Sequence, residues 1–373
     1  MASKLRLFTK RFFIYTNLLV VALFLLSCLI PLLHPQSWWW VSLIGLTFPV
    51  LLLLVICFLL GWLFLLKFKL TLISIVALAL GYQSIAVFIA FNAPSEFVVK
   101  KKKETIRVVS WNVARFIELA RNNNQGSVTR KKMLQLIREQ KADILCLQEF
   151  YTSDNPGFYN NIQTIQEQLG FRHVYFPYDK DGDRNYYSSV IFSRYPIVDT
   201  AMLRYPRPSQ PEVLLQADID IGTDTIRVYT THLQSQRFDK QDYQRMEKIK
   251  SREDSMWIHS IPIIGKLKTG MVIRSEQADI IAAVRSNSPH PVVLAADLND
   301  VPNSYTYFTV RGSLKDAFLE KGYGLGRTFR GLSPTLRIDY IFADPRFSVV
   351  QLKRERKDYS DHYLLVADLQ PRP

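Results

Sequence analysis

The chain has 373 residues, 48% of them apolar, with 47 Lys and Arg against 33 Asp and Glu. Its 23 Phe, 18 Tyr and 6 Trp exclude a disordered protein, and three Cys cannot staple a chain of this length as a disulfide scaffold. The net charge of +14 does not by itself mark a nucleic-acid binder: residues 1–103 hold ten basic residues and one acid, while the remainder carries 37 basic and 32 acidic residues, a net of +5.

The basic excess flanks apolar segments. Residues 12–33, 38–66 and 70–91 contain no Asp, Glu, Lys or Arg, and a helix needs about 20 apolar residues to cross a bilayer. Trp38, Trp39, Trp40, Lys67 and Lys69 at the edges are the types that collect at membrane–water boundaries. The expectation is a multi-pass membrane region over residues 1–91, with three transmembrane helices at about 12–33, 41–66 and 70–91 and the lipid bilayer as a partner. Lys4, Arg6, Lys10 and Arg11 precede the first span, the loop 34–37 has no Lys or Arg, and Lys67 and Lys69 sit in the next turn. This puts the N-terminus inside and the large C-terminal part outside the cytoplasm, although the Lys run at 100–103 runs against the rule. Cleavage before Cys28, as in a lipoprotein, is the rival reading of the first span; the apolar run continues past Cys28 and two further spans follow.

Residues 92–103 read as a linker and 104–373 as one domain. Within it, apolar runs at 106–111, 144–147, 189–192, 226–231, 292–295, 338–342 and 364–369 predict strands. Apolar residues at three- and four-residue spacing predict helices over 129–140 and 273–285. Strands mixed with helices over this length give an α/β domain.

Several of these strands end in polar residues suited to a metal or a phosphate: Asn112, Glu149, His232, the i, i+2 pair Asp297 and Asn299, the acid Asp339 within a strand, and Ser360-Asp361-His362 opening the last one. A single Asp, Asn or His after a strand is an ordinary turn or surface residue. Six such sites are another matter, because strand ends on one sheet edge converge in space. The ordered set Ser-Trp-Asn-Val, Leu-Gln-Glu, Thr-His-Leu, Asp-Leu-Asn-Asp, Arg-Ile-Asp-Tyr-Ile and Ser-Asp-His resembles the endonuclease/exonuclease/phosphatase superfamily from about Thr105 to Gln370. That superfamily includes deoxyribonucleases, apurinic endonucleases, neutral sphingomyelinases, inositol polyphosphate 5-phosphatases and poly(A) deadenylases.

The resemblance implies a four-layer α/β/β/α sandwich, two facing mixed β-sheets flanked by helices, with a magnesium ion (manganese as a substitute) at one end. It implies Glu149 and Asn112 as metal ligands, with Asp361 able to reach a second metal position. It also implies His362 paired with Asp339, Asp297 orienting or deprotonating the attacking water, and Asn299 and His232 donating to the non-bridging oxygens. Gln148 reads as a buttress for Glu149, and Ser360 as a loop-bonding residue. Ala114 stands where apurinic endonucleases carry a second acid, and Thr335 to Asp339 lacks the 5-phosphatase signature.

The expected function is a membrane-anchored, metal-dependent phosphoester hydrolase. Its substrate is a nucleic acid, met by Arg184, Arg194 and the basic stretch from Arg204 to Arg207, or a phospholipid head group. A catalytically inactive membrane-bound binding module is the alternative from another class, and no protein partner is evident. Residues 236–269, charged in the first half and apolar in the second, are read either as a surface helix with a packed loop or as a membrane-facing flap.

Overall fold

The computed structural model describes residues 2–117, 127–206, 212–236, 238, 241–242, 244–246, 256–331 and 333–372. The chain divides into two compact units: Met1–Phe88, Gln236–Ser275 and Val301–Thr309 form one, and Ile89–Ser235, Glu276–Asp300 and Val310–Pro373 the other.

In the first unit, α1 (Ala2–Cys28) is followed by α2 (Pro35–Leu46), α3 (Phe48–Phe64), α4 (Phe68–Leu80) and α5 (Tyr82–Phe88). Among the described residues, only the stretch Arg6–Leu32 is a single helix long and apolar enough to cross a membrane; α2 with α3 and α4 with α5 qualify as bent pairs, broken by 54° and 64°. The second and third expected spans are therefore broken helices. Pro49 in the first turn of α3 starts a new helix instead of extending α2. Gly81 ends α4, where a Cβ would lie 2.6 Å from the Phe24 ring. Phe24 stacks on Phe48, which meets Phe88 edge-on, while Phe8, Leu53, Phe64, Phe68 and Leu72 are exposed, as side chains facing lipid would be.

The two later segments of this unit pack on the same helices. Asn303 Nδ2 donates to the Ser27 carbonyl (3.1 Å), the Tyr305 ring lies 4.9 Å from His34, and the Lys268 ammonium sits 4.8 Å over Trp39. The helix expected from 273 begins earlier: α8 runs Met256–Ser286 with Pro262 inside. The apolar half of 236–269 is thus helix rather than loop.

The second unit holds two six-stranded sheets. One has the order β13 (Phe347–Glu355), β14 (Leu364–Pro371), β2 (Ile106–Asn112), β3 (Ile144–Ser153), β5 (Asn185–Ser193), β4 (His173–Tyr175). The other runs β10 (Lys315–Asp316), β12 (Asp339–Ala343), β9 (Val292–Asp297), β8 (Thr225–His232), β7 (Val213–Asp220), β6 (Ile197–Arg204). Short β1 (Ala90–Phe91) pairs with β11 (Tyr323–Gly324). Each large sheet has one parallel pair, β2 with β3 and β8 with β9, among antiparallel neighbours. Alternation along the strands sends Val108, Ile144, Cys146 and Ile191 into a core shared with Leu215, Val228, Val293 and Ile341 of the facing sheet. Val109, Leu145, Leu147 and Val190 point the other way, onto Met133, Leu136 and Ile137 of α6 (Val128–Gln140) and Ile165 of α7 (Asn161–Leu169). On the far side Tyr229, which alternates with core Val228, feels the charge of Arg285 from α8. Helix, sheet, sheet and helix make the four expected layers, and all seven expected strands are present.

Candidate active site

The polar residues gather where the two parallel pairs end. Asn112 closes β2, His232 closes β8 and Asp297 closes β9; Asp297 is in register with both His232 and Asp339, the first residue of β12. Glu149 reaches the same place through a bulge: the β3–β5 register shifts between Leu147 and Phe150, and Glu149 takes φ 49°. A bulge re-aims one side chain out of the pleat, here to the strand end that holds Asn112.

Asn112 ties the sheets together. Its Nδ2 donates to Asp297 Oδ2 (3.0 Å) and Glu149 Oε1 (3.2 Å), and its Oδ1 accepts from Ala114 N–H (3.0 Å). It faces the carboxylates with nitrogen, so as an oxygen ligand it would present the amide reversed. His232 Nε2 lies 3.6 Å from Glu149 Oε1 and 3.7 Å from Asp297 Oδ2, and Asn299 Nδ2 donates to it (2.9 Å). Asn299, at φ 50°, also gives its backbone N–H to Asp297 Oδ1 (2.9 Å).

His362 comes from the loop before β14. Its Nδ1 is 3.0 Å from both oxygens of Asp339, and its Nε2 is 3.7 Å from Asp297 Oδ2. The loop is pinned by Trp111 Nε1–H on the His362 carbonyl (2.9 Å) and by the Ser360 hydroxyl on the Asn112 carbonyl (2.8 Å). Thr328 Oγ1 fixes Asp339 by accepting its backbone N–H (3.1 Å). Burial lowers the His362 pKa, but the charges of Asp339 and Asp297 and the Asp339 hydrogen bond outweigh it and push the imidazole up to about 10. The imidazolium is therefore the form present at neutral pH.

Asp297, Asp339 and His362 bring one ligand atom each within 4.8 Å of one another, a spacing able to hold a cation. Both oxygens of Asp339 already face His362 Nδ1, whereas the Glu149 side chain is 28% exposed. Three carboxylates, Glu149, Asp297 and Asp339, face one imidazolium, and this residual negative charge fits a hard divalent cation bound to oxygen. Asp361 is exposed and accepts from the Ser360 hydroxyl (3.2 Å); among the described residues it makes no hydrogen bond or ion pair with Glu149 or Asn112. Gln148 does not buttress Glu149. Its Nε2 donates across the sandwich to Thr230 Oγ1 (2.9 Å) and within its own sheet to Ser110 Oγ (3.3 Å).

The sequence profile of the Endonuclease/Exonuclease/phosphatase family matches residues 109–362. The chain belongs to that family. A second profile, Domain of unknown function (DUF8431), matches residues 10–88. Among solved structures the chain is similar to an endonuclease/exonuclease/phosphatase from Beutenbergia cavernae DSM 12333, with 23% identity, 72% of each chain covered and a TM-score of 0.52. It is also similar to humanized D. rerio TDP2, with 16% identity, 72% of this chain and all of the other covered, and a TM-score of 0.50. At these identities the likeness bears on the fold. No curated protein sequence matches the chain. Members of the family generally act as hydrolases on phosphoester bonds with divalent metals.

The arginines expected to meet phosphate divide. Arg194 is structural, donating to the carbonyls of Ala142, Leu169 and Gly170; Arg204 pairs with Asp179; Arg184 is exposed; Arg207 lies outside the described residues. Two further side chains border the family's site unforeseen. Tyr187 of β5 has its phenol raised by burial and then by the Glu149 carboxylate, and the Arg115 guanidinium lies 4.0 Å over its ring. Nothing in the sequence marks this pair, because an Arg after a strand and a Tyr within one are ordinary.

Proposed function

We propose that this chain is a membrane-anchored, divalent-metal-dependent phosphodiesterase that directs water onto phosphorus. The observation that carries the reading is the convergence of Asn112, Glu149, His232, Asp297, Asn299, Asp339 and His362 where the strands of the two sheets end. Glu149 and Asn112 would hold magnesium, with exposed Asp361 left for a second cation. The ion would neutralise phosphate charge and stabilise the leaving oxygen. His362, raised by the charges of Asp339 and Asp297, would stabilise negative charge on the phosphoryl group, and Asp297 would orient or deprotonate the attacking water. Asp297 is fully buried and held at both oxygens, by Asn112 and by the Asn299 N–H. Asn299 and His232, hydrogen-bonded to each other in the free site, would donate to the non-bridging oxygens once the substrate displaces that bond.

The apolar helices support membrane anchorage, and the basic N-terminus supports an extracytoplasmic catalytic unit. A phospholipid head group is favoured as the second reading of the substrate by Ile261 and Ile264, exposed on α8 in the unit that contains the apolar helices. The test is hydrolysis of bis-p-nitrophenyl phosphate, plasmid DNA and sphingomyelin by the full chain in detergent, with magnesium and with EDTA. EDTA should abolish turnover, and Glu149→Gln should lower it roughly a hundredfold or more, the scale of losing a metal's contribution. Undiminished turnover in EDTA would refute the metal.

A further inference from the structure

Directly after Asn112 the chain turns the wrong way. Ala114, Arg115, Phe116 and Ile117 take φ of 44°, 57°, 59° and 60°, four successive residues with side chains in the left-handed region that favours glycine. The turn is closed by Phe116 N–H on the Val113 carbonyl (2.7 Å) and Ile117 N–H on the Ala114 carbonyl (2.9 Å). It is anchored at one end by Asn112 Oδ1 and at the other by the buried Phe116 ring against Phe150. Such strain persists where the surroundings over-determine it, and it gathers at functional sites.

What the turn achieves is the placement of Arg115. Its guanidinium carbon lies 4.0 Å from the centre of the Tyr187 ring, on the strand face that also carries core Ile191 and points toward the facing sheet. Tyr187 in turn borders Glu149. Its ionic partner is Asp181 (2.5 Å), and the two side chains are 37% and 40% exposed. Arg107 looks different: it is fully buried and saturated by Asp368 and by the carbonyls of Val98, Val99 and Gln140. An exposed pair such as Arg115–Asp181 adds little to stability, so it does not account for the strained turn that builds it. A planar fork stacked on an aromatic ring and half open to solvent is suited to bidentate capture of a phosphate.

We propose that Arg115 is the anion-binding arm of a subsite beside the hydrolytic centre. It takes a second phosphate of the substrate, and Asp181 occupies the guanidinium until that phosphate displaces it. The proposal rests on the hydrolase reading for its substrate class: phosphoesters that carry another phosphate close to the scissile one. Such a group belongs equally to a nucleotide chain and to a phosphorylated polyol head group. Tyr187 is a positioning residue, holding the guanidinium plane.

The test is calorimetric binding to the full chain in detergent with magnesium present, using two ligand pairs: thymidine 5′-phosphate against thymidine 3′,5′-bisphosphate, and inositol 1-phosphate against inositol 1,4-bisphosphate. The wild-type chain should prefer the bisphosphate of at least one pair by about tenfold, the scale of one charge-assisted fork. Arg115→Ala should bring that ratio near one and Arg115→Lys should restore part of it. Asp181→Asn should raise the ratio above wild type, because it removes the competing carboxylate; a damaged fold would not move it in that direction. A response to the nucleotide pair alone identifies a nucleotide source, and a response to the inositol pair alone a head-group source. No preference in either pair, a ratio preserved in Arg115→Ala, or a ratio lowered in Asp181→Asn overturns the proposal. Because the readout is binding, an Arg115-dependent preference without any turnover would refute the hydrolase reading and leave the subsite standing. Turnover without the preference would do the reverse.

Discussion

Replacing Asp339 with Asn keeps the shape of the side chain and an oxygen for His362 Nδ1 while removing a buried charge. In the wild-type chain the charges of Asp339 and Asp297 push the imidazole from its ordinary 6.5 up to about 10, which favours the charged form. Burial works against that form, and Asp339 is the first of the groups that overcome it. Without this carboxylate, burial wins, and His362 should titrate at or below 6.5. The stability that the raised imidazole contributes is complete below the unfolded value of 6.5 and is lost as pH rises through about 10, while the buried Asp339 carboxyl, itself raised, works against it. The Asp339→Asn chain should therefore fall further below wild type in stability near pH 6 than near pH 9. Hydrolysis should fall roughly a hundredfold, less than in His362→Ala, because orientation survives while charge support does not. With six His in the chain, ring-labelled histidine gives a sparse NMR spectrum, and His362→Ala assigns the signal. A His362 still titrating near 10 in Asp339→Asn, or a stability deficit no larger at pH 6 than at pH 9, would sink this account of the pair.

Three other outcomes are expected. A reporter active only outside the cytoplasm, fused after Pro373, should be active; activity of a cytoplasm-only reporter there would reverse the orientation. Gln148→Leu should cost about 1–3 kcal/mol in urea unfolding, because it leaves the buried hydroxyls of Thr230 and Ser110 short of a partner; an unchanged midpoint would deny the cross-sheet role. Ile261→Ser with Ile264→Ser should lower turnover of vesicle-borne lipid more than that of bis-p-nitrophenyl phosphate, since both side chains are exposed on α8; equal losses would make them ordinary packing residues. Trp257 belongs to the same apolar stretch, but its side chain lies outside the described residues.

The sequence made the central strands plain because burial on both faces leaves continuous apolar runs, as in 106–111 and 292–295. It was silent on β6, whose residues 198–202 are all exposed, so neither alternation nor an apolar run marks it. The site was legible as a set of strand ends, since each member is a polar residue at the border of an apolar run. Its wiring was not: a bulge at Glu149, an amide bridging the sheets at Asn112, and Gln148 reaching across to Thr230 depend on register, which no local pattern states. The left-handed turn at 114–117 was equally hidden, for it contains no glycine to announce it.

The first unit is assembled from three separated stretches of the chain, and this bears on how the protein is made. The ribosome delivers residues 1–88 first, so the apolar helices can form before residues 236–275 and 301–309 are synthesised. Those later stretches then find their partners waiting, Ser27 for Asn303, His34 for Tyr305 and Trp39 for Lys268. The N-terminal helices serve in this order as a template for part of the downstream chain. A protein cut at residue 103 to free the catalytic domain would leave Asn303, Tyr305 and Lys268 without these partners. Its recovery should depend on detergent even though every N-terminal apolar helix has been removed.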